Sequence, residues 1–227
     1  LKRIKAGQRI NVYVDAHRNK AGTPTMGGFI FIIPCIITVI LLLLTNKMQY
    51  SINLFIILFV LISYAMIGFL DDYISLKHHE NKGLTQMQKL FLQFVVALVF
   101  YVLFRHFGDG DSVLRVTLFN LEWNLNWFYG VFILFLLIGT SNAVNLTDGL
   151  DGLSSGVCLI SCLSLLIIFS LNGSPIIAIV LITALAGAIV GFLPYNFNPA
   201  KTFIGDTGSN FMGFSLSIIS ILGVAKT

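Results

Sequence analysis

The sequence predicts an all-α fold, a polytopic bundle of membrane-spanning helices. Two observations predict it. Hydrophobic residues make up 56% of the 227 and charged residues only 11%, less than half of the roughly 25% found in soluble domains. The mean hydropathy is +0.89, and the apolar residues are bunched into runs instead of spread at amphipathic spacing, the pattern of segments immersed in lipid.

Seven runs qualify as spans, near 28–45, 52–70, 90–104, 127–145, 157–171, 175–193 and 210–225. A helix needs about 20 residues to cross the hydrocarbon core. The third and fifth runs are shorter, so flanking polar residues are expected to complete them. The chain begins at Leu1 without Met and ends at Lys226-Thr227, directly after an apolar run. It reads as one integral-membrane domain, 1–227, cut at both ends. Cys35, Cys158 and Cys162 all fall inside apolar runs, so they are expected to pack as small hydrophobes and not to form disulfides or a metal site. No basic stripe with interleaved aromatics is present, which argues against a nucleic-acid partner.

Lysines and arginines distribute unevenly over alternate loops. One face carries ten: Lys2, Arg3, Lys5, Arg9, Arg18, Lys20, Lys77, Lys82, Lys89 and Lys201. The other carries four: Lys47, Arg105, Arg115 and Lys226. The positive-inside bias puts the richer face in the cytoplasm. Four polar, glycine-bearing stretches then fall on that face: KAGTPTMGG (20–28), DDYISLKHHENKGL (71–84), NLTDGLDG (145–152) and NFNPAKTFIGDTGSN (196–210).

Asp71 and Asp72 follow an apolar run directly. Adjacent like charges are easier to keep ionised beside a cation, and helical neighbours point about 100° apart, so the two acids need not share one task. Asn145, Asp148 and Asp151 recur at spacing three, which on a helix lines one wall of a cleft. A plain turn needs one or two such residues. Asp206 sits between glycines in FIGDTGSN, where it either caps the next helix or offers oxygen to a hard cation such as Mg²⁺. Lys20, Thr23, Thr25, Gly27 and Gly28 form a weak phosphate-contact candidate without P-loop spacing. His78 and His79 read as loop residues, since no partner lies at ligand spacing.

Taken together, these stretches resemble one family, the polyprenyl-phosphate N-acetylhexosamine-1-phosphate transferases. GTPTMGG, GFLDDY and NAVNLTDGLDGL point to its muramoyl-peptide branch, and the resemblance runs from Lys20 to beyond Asn210. It implies about ten spans in a complete member. It implies transfer of phospho-N-acetylmuramoyl-pentapeptide from its UDP donor to undecaprenyl phosphate, with Mg²⁺, releasing UMP at the cytoplasmic face of the bacterial plasma membrane. A homodimer is a further expectation.

The implied site follows residue by residue. Asp206 binds Mg²⁺, with Asn145 as a second ligand or pyrophosphate contact. Asp71 orients or deprotonates the lipid phosphate, and Asp72 supports the metal or that phosphate. Asp148 and Asp151 line the nucleotide side, Asn196 and Phe203 contact uracil, and Lys20 and Thr23 meet the nucleotide or its phosphates. Ser75 stands where the family usually has Lys. Three alternatives are an N-acetylglucosamine-1-phosphate donor, a transporter, and an inactive scaffold.

Overall fold

The structure is a computed structural model that describes residues 23–77, 83–108, 110, 112–116 and 121–224. Among the described residues seven helices follow one another: α1 (Phe29–Leu44), α2 (Ile52–Lys77), α3 (Gln86–Phe107), α4 (Phe128–Thr147), α5 (Leu153–Asn172), α6 (Ile176–Asn196) and α7 (Gly205–Val224). An antiparallel hairpin, β1 (Val113–Val116) with β2 (Leu121–Asn124), joins α3 to α4. Helices α2 to α6 are long and apolar enough to cross a membrane.

The two short apolar runs lengthen as expected, for identifiable reasons. Thr85 and Gln88 form a capping box: Gln88 N–H donates to Thr85 Oγ1 at 3.3 Å, and Thr85 N–H donates to Gln88 Oε1 at 3.0 Å. This reciprocal pair satisfies two orphan donors and starts α3 four residues before its apolar run. Helix α5 is bounded by Gly152 and Gly173, both left-handed, with φ of 75° and 66°. Twenty residues at about 1.5 Å each give roughly 30 Å, one bilayer core. The hairpin was not expected, since four-residue strands between two spans leave too short an alternation to read. The three cysteines are buried and unbridged.

Helix α7 is the axle of the bundle. It packs against α1, α2, α4, α5 and α6, most extensively against α2 and α4. The other helices ring it in the order α2, α3, α4, α5, α6, α1. This placement explains why α7 is the least plainly membrane-like of the long helices. It carries Ser209, Asn210, Ser215 and Ser217 buried along its length, and these polar groups face protein instead of lipid.

Close approach at the start of α7 requires glycine. A Cβ on Gly68 of α2 would lie 2.2 Å from the Asp206 carbonyl oxygen, and one on Gly28 would lie 2.5 Å from Gly208 Cα. Small residues let membrane helices meet backbone to backbone. The strand-like segment before α1 locks the same region. Phe203 N–H donates to the Pro24 carbonyl at 2.9 Å, Gly27 N–H to the Phe203 carbonyl at 2.8 Å, and Gly28 N–H to the Ile204 carbonyl at 2.9 Å. The described part of KAGTPTMGG is therefore a docking strip for the loop that leads into α7.

Gly68→Ala is expected to destabilise the purified protein by about 1–3 kcal/mol, the usual cost of overpacking. Gly187→Ala, where nothing lies within 4 Å, is expected to leave stability unchanged or raised. Thermal unfolding of both variants in detergent checks this.

Candidate active site

The first N–H groups of a helix have no partner within it. At the start of α7 they are met by acids from other helices. Asp72, buried at the end of α2, accepts from Asp206 N–H at 3.1 Å, Thr207 N–H at 3.0 Å and Thr207 Oγ1 at 2.6 Å. Asp148, just beyond α4, accepts from Gly205 N–H. The positive end of the helix dipole favours both carboxylates. Asp72 thus caps α7 in trans, and the capped turn carries Asp206.

Asp206 lies inside a polar cluster. Its Oδ1 accepts from Asn145 Nδ2 at 2.8 Å, and its Oδ2 is paired with Lys89 Nζ. The Asn145 amide also donates to Ser209 Oγ at 2.8 Å and accepts from Lys89 at 3.4 Å. Asp71 faces Asp206 at hydrogen-bond range, and its Oδ1 accepts from Leu84 N–H at 2.8 Å. Asp71, Lys89, Asn142, Asn145 and Asp206 line a cleft of about 660 Å³, whose walls include Leu90, Ile138 and Leu146. The cleft therefore joins a charged floor to apolar sides.

The adjacent acids Asp71 and Asp72 point apart: Asp72 is turned inward onto α7, and Asp71 opens into the cleft. Among the described residues, four carboxylates (Asp71, Asp72, Asp148 and Asp206) meet one ammonium group, a formal charge of −3 when all are ionised. Like charges packed this closely call for a further cation or for protons. At Asp148 the effect is explicit. Burial pushes its carboxyl up to about 8; the charges of Asp206, Asp72 and Asp151 add to the rise, and the Gly205 N–H partly offsets it.

The remaining expected residues spread outward from this core. Asp151 accepts from Ala200 N–H at 3.1 Å and so holds the loop between α6 and α7. Asn196 is buried, with its Oδ1 accepting from Ser155 at 2.6 Å and its Nδ2 donating to the Thr202 carbonyl at 3.2 Å. Its amide ties α5 to the loop that follows α6 and is not among the residues lining the cleft. Phe203 is half-buried, held by its main chain against Pro24 and Gly27. Thr23 is half-buried where the docking strip begins. Ser75 lies one helical turn beyond Asp71 on α2. Lys20, His78 and His79 lie outside the described residues.

Lys89 is the residue that sequence reasoning missed; it was counted only as a loop lysine. Its side chain is 11% exposed, and it sits in the first turn of α3. The available signal was Lys89 with Gln93, two polar residues at i, i+4 on an otherwise apolar span. Phe197, 56% exposed beside Gly152, is a second aromatic, at the end of α6, that went unnoticed.

A pKa raised by folding is linked to stability. The folded protein keeps a proton on Asp148 that the unfolded chain, with an ordinary carboxylate at 3.8, releases. Stability from this group is full below about pH 4 and is lost as pH rises to about 8. In metal-free protein, Asp148→Asn is expected to unfold at a higher temperature than the parent, by a gap that widens from pH 4 to pH 8 and is flat above. Unfolding midpoints across that range check it.

Comparison with known proteins places this architecture. Residues 54–224 match glycosyl transferase family 4. The chain is 43% identical over 223 residues to a Bacillus licheniformis protein named phospho-N-acetylmuramoyl-pentapeptide-transferase, covering 98% of this chain and 68% of that one. It is 42% identical over 225 residues to a Staphylococcus epidermidis protein of the same name, covering 98% and 69%. A Limosilactobacillus reuteri protein, also of that name, is 43% identical over 230 residues, covering 96% and 66%. The chain therefore belongs to glycosyl transferase family 4 and, within it, groups with the phospho-N-acetylmuramoyl-pentapeptide-transferases.

Proposed function

We propose that this protein transfers phospho-N-acetylmuramoyl-pentapeptide from UDP to a membrane-borne polyprenyl phosphate such as undecaprenyl phosphate, releasing UMP. The observation that carries the reading is the gathering of Asp71 and Asp206 with Lys89 and Asn145 in a cleft with apolar walls at one end of the bundle, with Asp148 buried behind them on Gly205 N–H. A lipid phosphate needs an apolar approach, and a soluble diphosphate donor needs a polar mouth. The acids lie at helix ends, not near mid-bundle where transporters set their sites. The lysine-rich loops on this side support a cytoplasmic orientation.

The residues present fit Mg²⁺. Among the described residues no group of three or more His, Cys, Asp or Glu side chains is arranged to hold a metal. Mg²⁺ needs no such group, because it takes one or two carboxylates and completes its shell with water and phosphate oxygens. Asp206 and Asp71, face to face, with the Asn145 amide oxygen, are hard donors of that kind. When bound there, Mg²⁺ neutralises charge developing on the pyrophosphate oxygens.

The protein's own groups do the rest. Lys89 offers its ammonium to the donor phosphates, and Asp71 orients the acceptor phosphate. A phosphate monoester has its second pKa near 6, so the acceptor is already largely dianionic at neutral pH and needs positioning more than deprotonation. Its oxygen attacks the β-phosphorus, forming a new P–O bond. The bond from that phosphorus to the bridging oxygen breaks, and UMP leaves with the electron pair. Asp72 acts indirectly, through the capped turn that aims Asp206. Asp151 and Asn196 hold the α6–α7 loop, and with it the Phe203 ring as a stacking surface for the base.

UMP release from UDP-N-acetylmuramoyl-pentapeptide tests this, with UDP-N-acetylglucosamine as the competing donor. The parent protein is expected to prefer the peptide donor and to stop on chelation of divalent ions. Asp206→Asn is expected to lose about a hundredfold or more, close to 3 kcal/mol of transition-state stabilisation. Asp72→Asn, acting through the supporting turn, is expected to lose about 10- to 100-fold. Preference for the non-peptide donor, or full activity in Asp206→Asn, contradicts the reading.

A further inference from the structure

Directly beneath the cluster lies a second polar layer made of amides. Gln93 on α3 follows Lys89 by four residues, Asn210 on α7 follows Asp206 by four, and Asn142 on α4 precedes Asn145 by three. Each therefore lies on the same helix face as a site residue, about one turn deeper, roughly 4.5–6 Å at 1.5 Å per residue. Gln93 and Asn210 are fully buried.

The layer has a fixed hydrogen-bond direction. Asn142 Nδ2 donates to Gln93 Oε1 at 2.7 Å, and Gln93 Nε2 donates to Asn210 Oδ1 at 3.1 Å. Asn210 Nδ2 donates to the Asp206 carbonyl at 2.8 Å. Ser141 Oγ adds a second bond to Asn210 Oδ1 at 3.1 Å, and Tyr64 Oη from α2 reaches the Gln93 carbonyl at 3.0 Å. The chain thus ends on the backbone of Asp206 itself.

Helices α3 and α7 do not pack broadly against each other. Two side-chain pairs tie them: Lys89–Asp206 at the mouth and Gln93–Asn210 beneath. The upper pair joins two groups that the reaction needs for other partners. Once Lys89 turns to a phosphate and Asp206 to a cation, their mutual attraction no longer sets the phase of α3. The lower pair touches no substrate and persists.

We propose that Gln93 and Asn210 are positioning residues that hold α3 in register with α7, keeping Lys89 beside Asp206 while both groups are engaged. Their involvement in catalysis rests on the transfer reading above; the register itself does not. Buried amides also glue membrane helices together, and glue alone predicts a loss of stability without a change in the environment of Lys89.

Gln93→Met separates these. It nearly keeps the side chain's shape, Asn210 Oδ1 retains the Ser141 hydroxyl, and Asn142 Nδ2 retains the Ile138 carbonyl at 2.8 Å. No buried group is orphaned, so the protein is expected to fold. The double variant Gln93→Leu/Asn210→Leu removes both partners and provides a second sample. The first readout is amine acylation of Lys89, followed by peptide mass spectrometry on detergent-purified protein, with exposed Lys201 as reference. The second is the kcat and KM of UMP release.

Lys89 is expected to be acylated severalfold faster in either variant, with Lys201 unchanged. The kcat is expected to fall about tenfold to a hundredfold, the scale of a misplacement near 1 Å, with the donor KM little altered. A folded Gln93→Met protein whose Lys89 is acylated at the parental rate overturns the proposal, as does one that loses stability with Lys89 still shielded. Should the parent itself release no UMP, the transfer reading fails, and the acylation rates alone decide the register.

Discussion

The first turn of α7 is the point on which the structure depends. Its N–H groups lie in a bundle interior with little water, where an unmet donor is costly. Asp72 and Asp148, from α2 and α4, meet them. A buried carboxylate needs donors as much as a helix start needs acceptors, so each stabilises the other. One arrangement therefore anchors the central helix and gathers negative charge where Asp206 emerges. The glycines at 28, 68 and 208 follow from the same constraint, because a side chain at any of them would push this turn away from its acids.

The site that results is over-supplied with negative charge by design of the fold. Lys89 answers Asp206 directly and Asp71 at longer range, while Asp71 and Asp206 still face each other at hydrogen-bond range. Such a site stores an affinity for whatever brings positive charge. In the function proposed above, a divalent ion arriving with a diphosphate would meet that need, the phosphate oxygens completing the shell that the acids begin. The apolar walls of the cleft do the complementary task of admitting a lipid-linked acceptor. In this account the chemistry is governed by charge and placement, with little demand for a strong base, because the acceptor phosphate arrives ionised.

Much of this was legible in the sequence, and the rest was hidden for definite reasons. The spans were readable because lipid demands long apolar runs, and the gathering of polar stretches on one side followed from counting spans and lysines. That Asp71 and Asp72 point different ways was readable from helical geometry alone. Lys89 was hidden because a lysine at a span boundary is also the commonest topology marker. The strip around Gly27 and Gly28 suggested phosphate, but glycines that permit backbone contact look the same in sequence as glycines that cradle a ligand. The pairing of Asn196 with Ser155 and Thr202 could not be read either, since no spacing rule announces a bond from α5 to the end of α6. The amide layer was out of reach too, since Gln93, Asn142 and Asn210 come from three helices that only the folded bundle brings together.

The most direct measurement is hydrogen exchange at the start of α7, comparing the parent protein with Asp72→Ala in detergent or a lipid nanodisc. If Asp72 caps this turn, the peptide covering 204–210 exchanges slowly in the parent and markedly faster in the variant, while peptides from the middle of α5 are unchanged. Equal protection of 204–210 in both proteins would contradict the account, because the turn that aims Asp206 would then be held by something other than Asp72.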